Sequence, residues 1–357
     1  MLFDPLTLRG LTIKNRIWLP PMCQYMVRQR DGVPTDWHFV HYGARATLGF
    51  GLMVIEATAV VPEGRITPQD LGLWDDAQVP GFAHLTGFAH QFGAAVAVQL
   101  AHSGRKGSAY PDLPGFPSGT APADQGGWTA VGPTGQPYGS YAAPHELTLD
   151  EIAAIPGDFA AAARRANEAG IDVIEVHAAH GYLLHQFYSP LSNGRQDGYG
   201  GDFAGRTRLT REVVAAVRQA WPDTKPLFVR LSATDWTDGG WAPEDTVRLA
   251  GDLKELGVDL IDVSSGGNLQ ATIPIGPGYQ VEFARQVRAG AGLPTTAVGL
   301  ITEPAQAEQI LASGQADAVM IGRAGLREPG WPERAALALG QPTPLAAPYV
   351  RGAWPRS

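Results

Sequence analysis

Short apolar runs rich in β-branched residues alternate along the whole chain with longer stretches whose apolar positions recur at helical spacing. The runs predict eight strands: Ile17 to Pro20, Leu52 to Glu56, Ala95 to Leu100, Ile171 to His177, Leu227 to Ser232, Leu260 to Ser264, Thr295 to Val298 and Ala318 to Ile321. The stretches between them predict helices over Asp36 to Leu48, Gly81 to Gln91, Leu149 to Ala169, Pro243 to Leu256, Tyr279 to Ala289 and Pro304 to Ala312. Thr148 and Glu151 have the spacing of a capping box, Gly170 suits a left-handed helix end, and Pro156 should kink the helix between them. One local phrase recurs at Gly170 to Asp172, Gly257 to Asp259 and Gly314 to Asp317: the glycine stops a helix and the aspartate opens a strand. Eight such units, with no G-x-G-x-x-G opening, favour an α/β fold closed as a (β/α)8 TIM barrel over a doubly wound sheet. No boundary divides residues 1–357. Gly107 to Glu146, dense in Gly and Pro, is too long for an ordinary βα loop and reads as an insertion capping the barrel mouth after strand 3.

Composition narrows the chemistry. The 357 residues carry 27 Lys+Arg against 35 Asp+Glu, a formal net charge of -8, with no basic cluster longer than a dipeptide, which argues against nucleic acid or an anionic membrane as partner. A single cysteine, Cys23, cannot form an internal disulfide, a four-cysteine zinc site or an iron-sulfur cluster. No leader-like segment opens the chain and no apolar run is long enough to span a bilayer, so the expected location is the cytoplasm.

Active sites of such barrels lie at the C-terminal ends of the strands. Glycines after strands 7 and 8, Gly299 and Gly322, let backbone N–H groups approach an anion that Arg323 can bind, although tight βα turns would also use them. Arg230 shares a strand face with Phe228 and Ser232; if that face is interior, its guanidinium needs an anion or acceptors at the mouth. A flavin ring meets this need, and Gln99 could donate and accept along its pyrimidine edge. His177 and His180 resemble half of a metal site, but no third ligand is evident, so no metal is expected. Two neutral imidazoles can instead donate to one substrate oxygen, with Tyr182 near enough in sequence to supply a proton; packed core histidines are the alternative.

These segments, taken in order, resemble the Old Yellow Enzyme family, in its thermophilic-like subgroup that includes bacterial NADPH dehydrogenases and xenobiotic reductases. The resemblance runs from Phe3-Asp4-Pro5-Leu6 and Lys14-Asn15-Arg16-Ile17 through Pro21-Met22-Cys23-Gln24-Tyr25, Gln99 to Lys106 and His177 to Leu183. It continues through Ser189 to Asn193, Asp197 to Gly201 and Val229 to Ser232, ending at Ile321-Gly322-Arg323. It implies non-covalent FMN held by Pro20, Pro21, Met22, Cys23, Ala57, Gln99, Arg230, Gly299, Gly322 and Arg323, with NADPH, or NADH, as reductant. His177 and His180 would anchor the substrate's activating oxygen, Tyr25 would face the substrate, and Tyr182 would donate the proton. The reaction implied is ping-pong reduction of the C=C bond of α,β-unsaturated carbonyl or nitro compounds. Residues 341–357 resemble a C-terminal segment that reaches a neighbouring subunit, making Arg351 and Trp354 candidates for completing the partner's pocket in a homodimer or homotetramer. The subgroup's cysteine beside the flavin implies the same place for Cys23.

The sequence departs from the family at Pro20, where many relatives have Ser, and at Ala204 and Gly205, where acidic or Asn residues are usual. A flavin-free barrel lyase or isomerase acting on a phosphorylated substrate is the rival reading, but no predicted strand ends in the Lys that a Schiff base requires. Arg105 and Lys106 could bind a 2′-phosphate or form a solvated basic pair.

Overall fold

A computed structural model describes residues 1–353. Eight parallel strands close into a ring: β1 (Ile17–Leu19), β2 (Leu52–Ala59), β3 (Ala95–Ala101), β4 (Val173–Ala178), β5 (Leu227–Ser232), β6 (Leu260–Ser264), β7 (Thr295–Ala297) and β8 (Ala318–Met320). Each strand pairs with the next, and closure occurs where Val319 registers with Ile17 and Trp18 with Leu52. The surrounding helices are α1 (Asp36–Thr47), α2 (Val79–His90), α3 (Leu149–Glu168), α4 (Phe203–Ala220), α5 (Pro243–Glu255), α6 (Val281–Ala291), α7 (Pro304–Ala312) and α8 (Trp331–Ala338). This is the (β/α)8 barrel expected from the pattern. Among the described residues, no helix is long and apolar enough to cross a membrane.

Two apolar layers hold the ring. Inside, Trp18 stacks on Phe228 with ring centroids 5.9 Å apart, and Leu52, Val54, Ala97 and Leu260 fill the space around them. Outside, the strands pack against the apolar stripes of the helices. An N-terminal hairpin, Leu6–Leu8 against Leu11–Ile13, lies against the inner layer through Leu8 and Ile13. The helices named from the sequence pattern include neither α4 nor α8, and the pattern missed this hairpin. Buried threonines, Thr207 and Thr210, share α4's inner face with Leu209, Val213, Val214 and Val217, which dilutes its apolar stripe.

The recurring Gly-to-Asp phrase has a physical basis. Gly170, Gly257 and Gly314 all adopt positive φ at helix ends, where a side chain would be strained. Each following aspartate clips the start of the preceding strand: backbone N–H groups of Val96, Leu227 and Thr295 donate to Asp172, Asp259 and Asp317 at 2.8, 2.8 and 3.0 Å. Each carboxylate also holds a basic side chain, His90, Arg9 and Arg288 respectively. This side-chain role explains why β4 begins at Val173 rather than at Ile171.

The Thr148–Glu151 capping box is present: the Thr148 N–H donates to Glu151 at 2.7 Å and the Glu151 N–H donates to Thr148 at 3.3 Å. α3 runs through Pro156 without ending there. Gly205 has a steric reason to be glycine, since a Cβ there would lie 2.1 Å from the Gly200 carbonyl oxygen. Asp202 caps α4 by accepting from Gly205 N–H at 2.9 Å, and Arg206 Nε donates to the Tyr188 carbonyl, so the loop is bonded without the usual side chains.

The segment from 107 to 146 follows β3 and contains a short pairing of Val131–Gly132 with His145–Glu146. In the tail, Ala346 N–H donates to the Thr47 carbonyl and Ala347–Gly352 forms a 3-10 turn with Arg351 exposed. Trp354 lies outside the described residues.

Asp259→Ala should lower stability in urea unfolding by about 2 kcal/mol, because it leaves the Leu227 N–H and Arg9 without their charged acceptor. An unchanged unfolding midpoint would contradict the clip's role.

Candidate active site

Inward-facing polar residues of the barrel come in a connected set. Gln99 registers with Glu175, and Gln99 Nε2 donates to Glu175 Oε1 at 2.8 Å. Arg230 registers with both His177 and Asp262, and its Nε lies 2.8 Å from Asp262 Oδ2 in an ionic contact whose N–H is not aimed for a hydrogen bond. Thr296 donates its hydroxyl to Asp262. The guanidinium expected at the mouth therefore already has one counter-charge. Burial and the Asp262 carboxylate push the Glu175 carboxyl above its ordinary pKa, against the pull of Arg230. Glu175 and Asp262 were missed in the sequence, although single acidic residues inside otherwise apolar strands are a readable signal.

Above this set lies a cavity of about 260 Å³ bounded by Arg230, Ser264, Gly299, Gly322, Arg323 and Arg327, among others. Four of the expected cofactor residues thus converge there. Gly299 has φ 117, and a Cβ on it would approach the Tyr279 ring to 2.9 Å, so only glycine lets the backbone bound the cavity at this point. Among the described residues, Arg323 and Arg327 have no acidic partner within ion-pair distance, leaving two guanidinium groups to face the cavity. That donor set suits a phosphate. Pro20 and Met22 pack beside Gly322. Ala57 and Cys23 lie instead in a second cluster, in which Cys23, Tyr141 and Tyr182 pack with Ala57, Ile66, Ala101 and Ala109.

The β1 loop is anchored by Glu56, which accepts from the Gln24 N–H at 2.9 Å and from the Tyr42 hydroxyl at 3.0 Å. Burial, reinforced by Asp70 and Glu56, raises the Cys23 thiol well above its ordinary pKa, so it is a neutral thiol rather than a nucleophile. Tyr25 is likewise raised by burial.

His177, His180 and Tyr182 meet at the end of β4, with His177 ring centroids 5.2 Å from His180 and 5.0 Å from Tyr182. Burial first, and the Arg230 charge second, hold both imidazoles well below the usual pKa, so both are neutral. His177 Nδ1 accepts from the Ala179 N–H at 3.3 Å, which places its proton on Nε2 as a donor. His180 is differently committed: its Nε2 lies 2.6 Å from Ser264 Oγ. Burial holds the Tyr182 phenol well above its ordinary pKa, with its proton in place.

Arg105 and Lys106 are neither a solvated pair nor free phosphate ligands. Arg105 is buried and donates to the Asn268 carbonyl at 2.9 Å. Lys106 Nζ donates to the His180 and Gly267 carbonyls at 2.9 and 3.0 Å and lies 4.5 and 5.0 Å from the Tyr138 and Tyr182 ring centroids. The insertion after β3 thus reaches the site through Tyr138 and Tyr141.

The family model for the NADH:flavin oxidoreductase / NADH oxidase family matches residues 1–341. The chain belongs to that family. It is 46% identical over 353 residues to an NADPH dehydrogenase of Geobacillus thermodenitrificans, covering 99% of this chain and 98% of the relative. Among solved structures it resembles an Old Yellow Enzyme homologue from Zymomonas mobilis, with TM-score 0.78 and 27% identity over 100% of this chain and 97% of that one. It also resembles a 2-naphthoyl-CoA reductase, with TM-score 0.85 and 25% identity over 96% of this chain but 52% of that longer chain. This flavin oxidoreductase is an Old Yellow Enzyme family member with FMN as its cofactor. The assignment removes the flavin-free lyase or isomerase. The cavity fits the cofactor, since unpaired guanidinium groups and a glycine-walled rim suit its phosphate and Arg230 suits an electron-rich ring edge.

Burial, and secondarily Arg105, lowers Lys106 from its ordinary pKa to about 8. Between pH 8 and 10.5 the unfolded chain therefore binds more protons at this residue than the folded one does, and stability contributed here rises with pH. Measured by urea unfolding, the wild type should gain stability relative to Lys106→Met from pH 8 to pH 10. A relative loss over that window would contradict the placement of the ammonium group.

Proposed function

We propose that this oxidoreductase is an ene-reductase that reduces the C=C bond of α,β-unsaturated carbonyl or nitro compounds in two half-reactions at one site. The observation that carries this reading is the juxtaposition of two neutral imidazoles and a protonated phenol at the end of β4, beside Arg230. FMN, when bound, would supply the hydride-transfer chemistry that couples NADPH oxidation to reduction of the alkene at its β-carbon.

The substrate's carbonyl or nitro oxygen is bound by the His177 Nε2–H and by the His180 Nδ1–H of the tautomer in which Ser264 Oγ donates to His180 Nε2. Neutral donors stabilise negative charge as it develops on that oxygen without surrendering their own protons. Tyr182 passes its proton to the α-carbon, and the Lys106 ammonium, 5.0 Å from the ring centroid, offsets the resulting phenolate charge. Tyr25 faces the substrate. Arg230, Gly299, Gly322 and Arg323 hold FMN at the cavity, and Pro20, Pro21, Met22, Cys23, Ala57 and Gln99 complete its surroundings. Residues 1–357 act as one FMN-binding unit, with 107–146 as its cover. Arg351 and Trp354 in the 341–357 tail complete the pocket of a neighbouring subunit in a homodimer or homotetramer.

Replacing both His177 and His180 by Ala should leave FMN bound and lower kcat/KM for 2-cyclohexenone by about 10³-fold, the scale of lost oxyanion donors. Tyr182→Phe should lower alkene turnover by about 10²-fold or more while flavin reduction by NADPH persists. Undiminished enone turnover in the double variant would sink the assignment.

A further inference from the structure

Behind the turn that carries His180 and Tyr182 lies a chain of buried polar groups that the proposed reaction does not touch. His180 and Gly181 are left-handed in succession, with φ 56 and 71, a region that few residues bearing a side chain occupy. A Cβ on Gly181 would lie 2.2 Å from the Gly267 carbonyl oxygen, so the turn is also pressed against the neighbouring loop. Side chains hold its backbone at four points. The His180 N–H donates to Ser232 Oγ at 2.9 Å, Lys106 holds the His180 carbonyl, the Gly181 N–H donates to His185 Nδ1 at 3.0 Å, and the Gly181 carbonyl accepts from Gln186 Nε2 at 2.7 Å.

The third hold has a determinate tautomer. Because His185 Nδ1 accepts, the ring proton resides on Nε2, which donates to Asp235 Oδ1 at 2.9 Å. Asp235 is occupied on its other oxygen, where Oδ2 accepts from Ser189 Oγ at 2.6 Å and from the Trp241 N–H at 2.9 Å. His185 and Asp235 are both buried, and the imidazole stacks on Tyr188 with centroids 4.6 Å apart, which fixes the ring plane. We propose that His185, with its tautomer set by Asp235, is a positioning residue that fixes the backbone of the His180–Tyr182 turn and thereby the placement of both side chains. The functional consequence rests on the reading of His180 and Tyr182 given above.

Asp235→Asn tests the tautomer. With the amide oxygen held by Ser189 and Trp241, the amide NH₂ faces His185 Nε2 and demands a lone pair there, so the ring proton moves to Nδ1 and confronts the Gly181 N–H. Two substitutions at His185 separate its halves: His185→Asn keeps an acceptor where Nδ1 stood, whereas His185→Gln keeps a donor where Nε2 stood and removes the acceptor. In ¹⁵N-histidine NMR of the holoenzyme, His185 is expected as the Nε2–H tautomer in the wild type and as Nδ1–H in Asp235→Asn. Enone kcat should fall about tenfold or more in Asp235→Asn and His185→Gln, one lost hydrogen bond's worth, with FMN affinity retained. His185→Asn should retain more kcat than His185→Gln whatever their relative melting temperatures. The Gly181 amide should exchange slowly in the wild type and His185→Asn and fast in the other two variants. Equal kcat in the two His185 variants, or an Nδ1–H His185 in the wild type, would overturn the proposal. If the wild type shows no enone turnover, the ene-reductase reading fails, while the tautomer and the Gly181 exchange rates still decide the positioning role.

Discussion

A guanidinium enclosed in a parallel barrel is the constraint around which the rest of the site is arranged. Arg230 points inward because strand alternation leaves it no other face, and an unpaired charge there would be very costly. Asp262, its register partner on β6, supplies one counter-charge from below, and the open cavity above receives the rest of its field. That field reaches further than its contacts. After burial it is the largest influence holding His177 and His180 neutral, and it opposes the burial that protonates Glu175. One residue thus helps to set the protonation of both halves of the site, the flavin-facing cavity and the imidazole pair.

The phenol end is organised by a different set of groups. The segment after β3 brings Tyr138 and Tyr141 over the mouth, and Lys106 crosses beneath them to carbonyls of the β4 and β6 loops. Its hydrogen bonds and cation–π contacts compensate an ammonium group that is otherwise poorly hydrated. Tyr182 sits against the Lys106 ammonium, in surroundings whose burial keeps its proton in place.

The closed barrel was legible in the sequence because eight apolar runs buried on both faces cannot be mistaken for surface segments, and β5 and β6 match their expected limits residue for residue. Edges were less so. β2 extends to Ala59 because its end, where the pairing with β3 shifts register between Ile55 and Thr58, stays buried despite polar Glu56 and Thr58. The polar residues at strand ends could be named as candidates, since barrel chemistry gathers there. Their supports could not. Arg105 meets Asn268, His185 meets Asp235 and Arg230 meets Asp262 only after the chain has closed, and a dipeptide such as Arg105-Lys106 reads as solvated until those partners are known.

The most direct test is a visible spectrum of the purified holoenzyme, followed anaerobically through addition of NADPH and then 2-cyclohexenone. Flavin absorption that bleaches with NADPH and returns with the enone would establish both half-reactions on one protein, as this account requires. A flavin that NADPH bleaches but the enone leaves reduced would contradict the ene-reductase assignment, while leaving the flavin oxidoreductase itself in place.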